Sequence, residues 1–323
     1  MKLKISVPAT TANIGPGFDI WGIALNLRNE FICDVLGDKS DMQMTIEADD
    51  LVKKTSANDP AQTLAKQSDN LIEQCYKRLF ELKDMEAPGI HIHAKLGIPL
   101  SRGLGSSSTA VLAGLTLANE IIRKRTGQAF SIDEIFQFAC DIEKHPDNVA
   151  PALYGGFQLS VKDERDQNYK AITIPVAAPI QLAGIIPHIT LSTEEARKVV
   201  VQDHSLSTVT YQSARTGLIS YLLSTSEWTE SEVEFFKIAM NDRVHQNARA
   251  ALIPGLTDTL KAWVEAGAYG AYLSGAGTTI LSFWQDDIQI NPEVLQCPFT
   301  NSGIAATNIF PKVDKLGLVL EHM

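Results

Sequence analysis

Residues 99–110, PLSRGLGSSSTA, join a predicted strand to an apolar predicted helix through a run of small residues. Glycine gives the backbone conformations and close approaches that a β-carbon would block. The free N–H groups that begin the next helix attract anions, and the helix macrodipole adds to that attraction. Three consecutive serines supply hydroxyl groups for phosphate oxygens or a metal ion. The segment therefore favours the polyphosphate-binding turn of a nucleotide-using enzyme, although on its own it fits a flexible connector equally well.

The neighbouring sequence places this turn between a half-buried strand and a buried helix. Ile90, Ile92, Ala94 and Leu96 alternate with polar residues, which is the pattern of a strand with one covered face. The stretch 110–123 is apolar almost all round, which predicts a helix inside a domain. The sequence has no G-x-x-x-x-G-K-[ST] motif, and the turn lacks the third glycine of a dinucleotide fingerprint. Neither of the two common nucleotide-binding folds is therefore predicted.

Length and composition predict two lobes and a small ligand. The chain has 323 residues, 45% of them hydrophobic, which is enough for two domains of ordinary size. Helical and strand-like stretches are mixed without strict alternation, which favours an α+β fold with a lobe boundary near residues 160–180. The net charge of −10 argues against a nucleic-acid partner, because such proteins usually carry a basic face. The apolar stretches are too short to cross a bilayer, so no membrane association is expected.

The N-terminal segment and the cysteines indicate the compartment. MKLKISVPATTANIG begins directly with strand-like alternation and has neither the apolar core nor the cleavage site of a signal peptide, so a cytoplasmic location is expected. The cysteines form no C-x-x-C pair, which predicts reduced and mostly packed thiols. They are Cys33, Cys75, Cys140 and Cys297. His91 and His93 share one strand face, but the sequence suggests no third ligand for a metal ion.

Three further segments give the glycine-serine turn its context. VPATTANIGPGFD lies at residues 7–19, HPDNVAPA at 145–152 with Gly155-Gly156 soon after it, and LSGAGTT at 273–279. With these motifs in this order, the chain resembles the GHMP kinase superfamily and, within it, the homoserine kinases. The resemblance runs from residue 5 to about residue 285, and a chance coincidence of four separated motifs is improbable.

The resemblance implies a two-lobed α+β GHMP kinase fold. Its N-terminal mixed β/α lobe, residues 1–170, would bind ATP through an atypical phosphate-binding loop, and its C-terminal lobe, residues 171–323, would be ferredoxin-like. The implied reaction is transfer of the γ-phosphoryl group of ATP to the side-chain hydroxyl of L-homoserine, a step toward threonine, with Mg²⁺ as the metal ion. The resemblance is also compatible with a homodimer.

The resemblance assigns roles to individual positions. Ser107 and Glu143 would hold the metal ion and, together with Asn148, would form the catalytic group. The residues implied for substrate binding are Asn13, Asp19, His145, Thr193, Arg197 and Arg249. The residues implied around ATP are Pro99, Leu100, Ser101, Arg102, Gly103, Leu104, Gly105, Ser106, Ser107, Ser108, Gly275 and Gly277.

Chemistry agrees with the implied substrate, although each residue also has an ordinary structural interpretation. A zwitterionic amino acid needs an acid for its ammonium group and an arginine for its carboxylate, and the sequence offers both. Thr193 and Arg197 are four residues apart and so lie on one helical face. Taken singly, Arg197 and Arg249 fit surface ion pairs, and Glu143 fits an exposed helix end.

Some positions depart from the superfamily pattern. Asn148 stands where several relatives carry an aspartate, and an amide cannot take a proton at neutral pH. Asp147 is adjacent but is expected to point elsewhere. We therefore expect catalysis by alignment and electrostatic stabilisation, with the hydroxyl proton leaving to solvent or a phosphate oxygen. Asn247 and Thr278 replace common prolines, and we expect the loop at Thr278 to be more mobile than in relatives.

Two other functions remain open at the level of sequence. The first is another small-molecule GHMP kinase acting on a mevalonate-like or sugar alcohol, for which arginines that bind an amino-acid carboxylate would be unnecessary. The second is a nucleotide-binding sensor that kept the fold and lost turnover. The presence of Ser107, Glu143 and the polar substrate set argues against the sensor.

Overall fold

The computed structural model describes residues 1–37, 42–56 and 70–323, apart from the side chains of residues 297, 298 and 300. Its first half is a twisted sheet covered by helices. The strands are β1 (Lys2–Ala12), β2 (Trp21–Gly37), β3 (Met42–Ala48), β4 (Gly89–Leu96), β5 (Phe157–Lys162) and β6 (Tyr169–Ile174). The helices are α1 (Asp50–Thr55), α2 (Leu71–Glu81), α3 (Ser106–Thr126), α4 (Ile132–Glu143) and α5 (Val149–Tyr154).

The second half forms a separate sheet. Its strands are β7 (Ile180–Pro187), β8 (Gly270–Leu273), β9 (Ile280–Gln285) and β10 (Ala306–Ile309). Its helices are α6 (Thr193–Lys198), α7 (Leu206–Ser224), α8 (Glu230–Ala239), α9 (Gln246–Ala250), α10 (Leu256–Glu265) and α11 (Pro292–Ser302). A last strand, β11 (Val319–His322), returns to the first sheet beside β1.

The strand order explains how the two halves join. The first sheet has the order β11-β1-β2-β4-β3, with β5 paired to β2 and β6 paired to β5, and the second has the order β10-β7-β9-β8. The two sheets confirm the predicted α+β arrangement. The boundary predicted between residues 170 and 171 falls inside β6, which belongs to the first sheet. Strands β6 and β11 therefore connect the first sheet to the second half of the chain.

Helix α3 is the central helix of the first half. It packs on β1 and α2 with most of its faces covered, as its apolar sequence predicts. The residue before the helix is Gly105, which has a left-handed backbone conformation and no side chain to cap the helix. The first N–H groups of the helix therefore stay available to a ligand. Its C-terminal flank is Gly127, also left-handed, which is a common end for a helix.

Local signals explain the neighbouring elements. Helix α4 begins with a capping box formed by Ser131 and Glu134, and it ends at Lys144 in the left-handed conformation before Pro146. The side chain of Asn70 caps α2 by accepting from the N–H groups of Ile72 and Glu73. Across the described ranges, no helix combines the length and apolarity needed to span a membrane.

The described cysteines are packed thiols, as predicted. Cys33, Cys75 and Cys140 are free and buried, and burial raises the pKa of each thiol above its ordinary value. The side chain of Cys297 lies outside the described residues. No described cysteine is therefore a reactive thiolate at neutral pH.

Candidate active site

The glycine-serine turn is held between the first and last sequence motifs. The Thr10 N–H donates to the Leu104 carbonyl at 3.1 Å, and the Ser274 hydroxyl donates to the Gly103 carbonyl at 2.6 Å. The Thr279 N–H donates to the carbonyl of Arg102 at 3.0 Å. All three bonds are accepted by backbone carbonyls of the turn, and within the described residues no hydrogen bond occupies the N–H groups of Gly103 to Ser107. This is the arrangement of an anion-binding turn.

Glycine is required in this turn by contact as well as by conformation. A β-carbon on Gly103 would lie 2.1 Å from the Ser274 carbonyl oxygen, and one on Gly105 would lie 1.9 Å from the Thr10 hydroxyl oxygen. Both residues have positive φ, at 72° and 67°. The backbone therefore approaches its neighbours more closely than any other residue type allows.

We predict that Gly105→Ala destabilises the protein by about 2–5 kcal/mol, the sum of a left-handed alanine and an overpacked contact. The matched control is Gly127→Ala, because Gly127 has φ of 74° but a β-carbon added there would meet nothing within 4 Å. That change should cost only about 1–2 kcal/mol. Urea unfolding of both variants measures the difference. Equal losses would show that contact with Thr10 does not matter.

The turn opens into a cavity of about 670 Å³ that receives residues from both halves of the chain. Nearly all the site residues predicted from the sequence line it. They are Asn13, Asp19, Leu100, Ser101, Arg102, Gly103, Leu104, Gly105, Ser106, Ser107, Glu143, His145, Asn148, Thr193, Arg197, Arg249, Gly275 and Gly277. Pro99 and Ser108 are not part of the lining. The four sequence motifs thus converge on one space.

A carboxylate meets the serines at the start of α3. Ser107 donates to Oε1 of Glu143 at 2.6 Å, and Ser108 donates to Oε2 at 2.8 Å. Hydroxyl and carboxylate oxygens are the hard ligands that Mg²⁺ prefers, and Mg²⁺ usually binds through one or two carboxylates plus water and phosphate oxygens. No cluster of three or more His, Cys, Asp or Glu that could hold a metal ion occurs in the described ranges. The donor set therefore fits a phosphate-assisted Mg²⁺ site better than an all-protein metal site.

The loop before α5 contains a buried histidine–aspartate pair. Nδ1 of His145 lies 2.6 Å from Oδ1 of Asp147, and Asn148 donates to the same oxygen at 3.1 Å. The expectation that Asp147 points elsewhere is wrong, because the residue lines the cavity and its carboxylate is bound to His145 and Asn148, which line the cavity too. The Asn148 side chain is fixed on its other side by Thr10, whose hydroxyl donates to Oδ1 at 2.6 Å. Sequence reasoning missed both Thr10 and the histidine–aspartate bond.

The pair sets the charge of this region. Burial lowers the pKa of His145, but the nearby Asp147 carboxylate and its hydrogen bond outweigh burial and raise the pKa to about 8. Burial raises the pKa of Asp147, and the His145 charge and hydrogen bond bring it below its ordinary value. At neutral pH the two side chains therefore form a buried ion pair with its cation next to the cavity.

An acid–arginine pair crosses the cavity between the two halves. Arg197, on α6, donates through Nη1 and Nη2 to the two carboxylate oxygens of Asp19, at 2.9 and 2.7 Å. Asp19 follows the turn after β1 and has φ of 61°, and its N–H donates to Oδ1 of Asn13 at 3.0 Å. Asn13 in turn donates to the Gly275 carbonyl at 2.9 Å. Thr193 is the first residue of α6, one turn from Arg197.

Arg249 is a second arginine of the cavity and is only 2% exposed. Its Nε donates to the Ala196 carbonyl at 3.1 Å, and its Nη1 donates to the Gly275 carbonyl at 2.8 Å. Burial lowers the pKa of Arg249 to about 10, so the guanidinium remains charged at neutral pH. A buried charged arginine whose described hydrogen bonds go to carbonyls and a histidine is unlike the surface ion pair that composition alone suggests.

One part of the cavity lining is largely apolar, and sequence reasoning missed it. It is formed by residues of β3, β4 and the start of α2, namely Met44, Ile46, Ala94, Leu96, Asn70, Leu71 and Ile72. The alternation of apolar and polar residues along β3 and β4 could have indicated this lining, because the covered face of each strand supplies the apolar side chains. A flat aromatic group with one or two polar edges would suit such a lining.

Comparisons with known proteins agree with this geometry. Residues 70–156 match the family model for the GHMP kinases N terminal domain, and residues 229–290 match that for the GHMP kinases C terminal. The homoserine kinase of Crocosphaera subtropica is 40% identical over 316 residues, covering 98% of this chain and 96% of the relative. The homoserine kinase of Halothermothrix orenii is 35% identical over 317 residues, with coverage of 98% and 96%.

Solved structures give the same result. The crystal structure of homoserine kinase from Cytophaga hutchinsonii superposes with a TM-score of 0.78 at 27% identity, covering 99% of this chain and 97% of that one. A mevalonate kinase from L. major, in complex with R-mevalonate, has a TM-score of 0.66 at 13% identity and shares the fold, with 96% of each chain covered. The family resemblance inferred from the motifs is confirmed: the chain belongs to the homoserine kinases of the GHMP kinase superfamily.

Proposed function

We propose that this protein transfers the γ-phosphoryl group of ATP to the side-chain hydroxyl of L-homoserine, forming O-phospho-L-homoserine. One observation carries the proposal: a phosphate-binding turn and a set of groups suited to a zwitterionic amino acid line the same cavity. We assign ATP binding to residues 1–170 and closure of the substrate side to residues 171–323. We also propose a cytoplasmic location and, by family resemblance, a homodimer.

The phosphate side uses the turn and the start of α3. The N–H groups of Gly103 to Ser106 would bind the phosphate oxygens, and the apolar part of the cavity lining would receive the adenine. Ser107 and Glu143 would hold Mg²⁺, which when bound neutralises charge on the phosphate oxygens. Ser108 then has a supporting role, since its hydroxyl orients the Glu143 carboxylate without lining the cavity.

The acceptor side uses opposite charges. Asp19 would bind the α-ammonium group of homoserine, and Arg249, with Arg197, would bind the α-carboxylate. The Asp19–Arg197 pair places a negative and a positive side chain next to each other. A zwitterion carries the complementary pair of charges. Asn13 and Thr193 would add polar contacts near the substrate. The side-chain hydroxyl would then project toward Asn148 and the phosphate turn.

The residues near the hydroxyl favour alignment over general-base catalysis. Asn148 is held between Thr10 and Asp147 and has no group that can take a proton at neutral pH. Asp147 is a weak base, because its pKa is lowered by His145 and one oxygen already accepts two hydrogen bonds. The hydroxyl proton would leave to solvent or a phosphate oxygen, while the cationic His145 stabilises negative charge in the cavity.

We predict that His145 titrates with a midpoint near pH 8 and that Asp147→Asn lowers this midpoint clearly, because the main cause of the raised pKa is removed. The folded-state pKa lies above the ordinary value of 6.5. The stabilisation from this proton is therefore complete below about pH 6.5 and is lost as pH rises through about 8. NMR titration of the His145 ring measures the midpoint, and thermal unfolding below about pH 6.5 and above about pH 8 measures the change in stability. An unchanged midpoint in Asp147→Asn would contradict the ion pair.

A panel of acceptors tests the proposed function. ADP release would be followed with homoserine, threonine, mevalonate and galactose offered in turn. Homoserine should give much the highest kcat/KM. Activity on mevalonate or galactose alone would favour another branch of the superfamily. ATP binding with no turnover on any acceptor would favour a sensor.

A further inference from the structure

His245 lies behind Arg249 and is completely buried. It precedes α9, and its ring stacks on Phe18 with centroids 5.2 Å apart and an interplanar angle of 28°. Its Nε2 lies 2.8 Å from the Gly15 carbonyl oxygen, and its Nδ1 lies 3.2 Å from Nη1 of Arg249. The histidine therefore bridges the turn after β1 and an arginine of the cavity.

These two contacts determine the tautomer. A carbonyl oxygen only accepts, so the proton must be on Nε2, and Nδ1 is then the acceptor for the Arg249 N–H. Asp242 is 3.8 Å from Nε2, but its carboxylate already accepts from Val244, His245 and Gln246 N–H groups and from the Gln212 amide. Burial lowers the pKa of His245, and the positive charge of Arg249 also lowers it. The negative charges of Asp242 and Asp19 raise the pKa, but the net shift is downward, so the surroundings of His245 favour a neutral ring.

The bond limits how Arg249 can rotate. Its Nε is held by the Ala196 carbonyl, and its Nη1 is shared between the Gly275 carbonyl and His245. Within the described residues no hydrogen bond reaches Nη2, and Arg249 lines the cavity. Because three acceptors hold Nε and Nη1, the Nη2 edge of the guanidinium is left to bind a ligand.

We propose that His245 is a positioning residue that sets the orientation of Arg249 and thereby the affinity for the α-carboxylate of the acceptor. This inference rests on the proposed function, since it takes homoserine as the ligand of Arg249. His245 itself does not line the cavity. His245 can therefore act on the substrate only through a neighbouring residue, and its hydrogen bond to Arg249 is a direct contact with a residue that lines the cavity.

Two substitutions separate hydrogen bonding from packing. His245→Phe keeps a ring to stack on Phe18 but can neither accept nor donate, whereas His245→Gln keeps one acceptor and one donor. We expect His245→Phe to raise the KM for homoserine about tenfold, which is the scale of one hydrogen bond to a charged group. The KM for ATP should stay within about twofold, and His245→Gln should restore most of the homoserine affinity. If the phenylalanine variant does not fold, His245→Leu takes its place in the same comparison.

A double-mutant cycle with Arg249→Lys tests the coupling. Lysine loses the planar fork, so once it replaces Arg249 the change at His245 should raise the homoserine KM no further. Additive effects, or an equal rise in the KM for ATP, would show that His245 only packs the fold and would overturn the inference. Wild-type turnover of homoserine is measured in the same assay. Its absence would overturn the proposed function and this inference together, whereas an additive cycle in an active enzyme overturns the inference alone.

Discussion

Glu143→Gln should lower kcat by about two to three orders of magnitude, the usual loss when one preorganised group that stabilises transition-state charge is removed. Glu143 faces both Ser107 and Ser108 at the start of the helix that follows the phosphate turn. Glutamine keeps the size and can still contact the serines, but it removes the negative charge that a divalent cation needs. The KM for homoserine should change little, because the amino-acid side of the cavity is untouched.

The Mg²⁺ requirement provides a second readout of the same change. At fixed ATP, the Glu143 variant should need a higher Mg²⁺ concentration for half-maximal rate. The matched control is Asp141→Asn, which removes a charge from the same helix at an exposed position. Its kcat should remain within about twofold of wild type, as surface substitutions usually do. Similar losses in both variants would indicate a general effect of charge, and full activity in Glu143→Gln would remove Glu143 from the metal site.

Asp19→Asn should have the second large effect, a fall in kcat/KM for homoserine of about 10- to 100-fold. The carboxylate binds Arg197 through both oxygens and is the proposed partner of the substrate ammonium group. An amide has one acceptor oxygen and carries no charge, so it can neither hold the arginine fork nor neutralise an ammonium group. The KM for ATP should stay nearly unchanged, because the hydrogen bonds of Asp19 go to Arg197 and Asn13 on the amino-acid side of the cavity.

A second aspartate offers a close control for this change. Asp163 also binds an arginine through both oxygens, with Arg165 at 2.9 and 2.6 Å, but it lies in the exposed turn between β5 and β6. Steady-state kinetics of Asp163→Asn should match wild type within about twofold. If Asp19→Asn behaved the same way, the ammonium group would have to bind elsewhere.

The motifs allowed most of the polar lining of the cavity to be predicted, because each lies at a tight turn whose backbone needs glycine, proline or a left-handed residue. Such turns leave local signals, as at Gly103 and Gly105. The helix predicted over residues 110–123 is part of α3, which spans Ser106–Thr126 between two left-handed glycines. The bridging pairs were not predicted: Asp19 and Arg197 are 178 residues apart, and no periodicity indicates that two distant side chains share a bond.

The directions of individual side chains were also not predicted from the sequence. Ser108 belongs to the serine run and its hydroxyl donates to Glu143, but the residue does not line the cavity, because the third residue of a helical turn faces a different side from the first. Asp147 was predicted to point away, but burial next to His145 favours the ion pair. The strand β11 returns to the first sheet after the second is complete, and this long-range pairing leaves no mark on local sequence.

The most direct test of the central claim compares three acceptors that share a primary hydroxyl. L-homoserine carries both charges, 3-aminopropan-1-ol lacks the carboxylate, and 4-hydroxybutyrate lacks the ammonium group. Phosphorylated product would be measured for each at fixed ATP and Mg²⁺. We predict O-phosphohomoserine from L-homoserine and a kcat/KM lower by about 10-fold or more for each analogue, since each loses a charged contact. Equal rates for all three acceptors would contradict a site built on Asp19, Arg197 and Arg249.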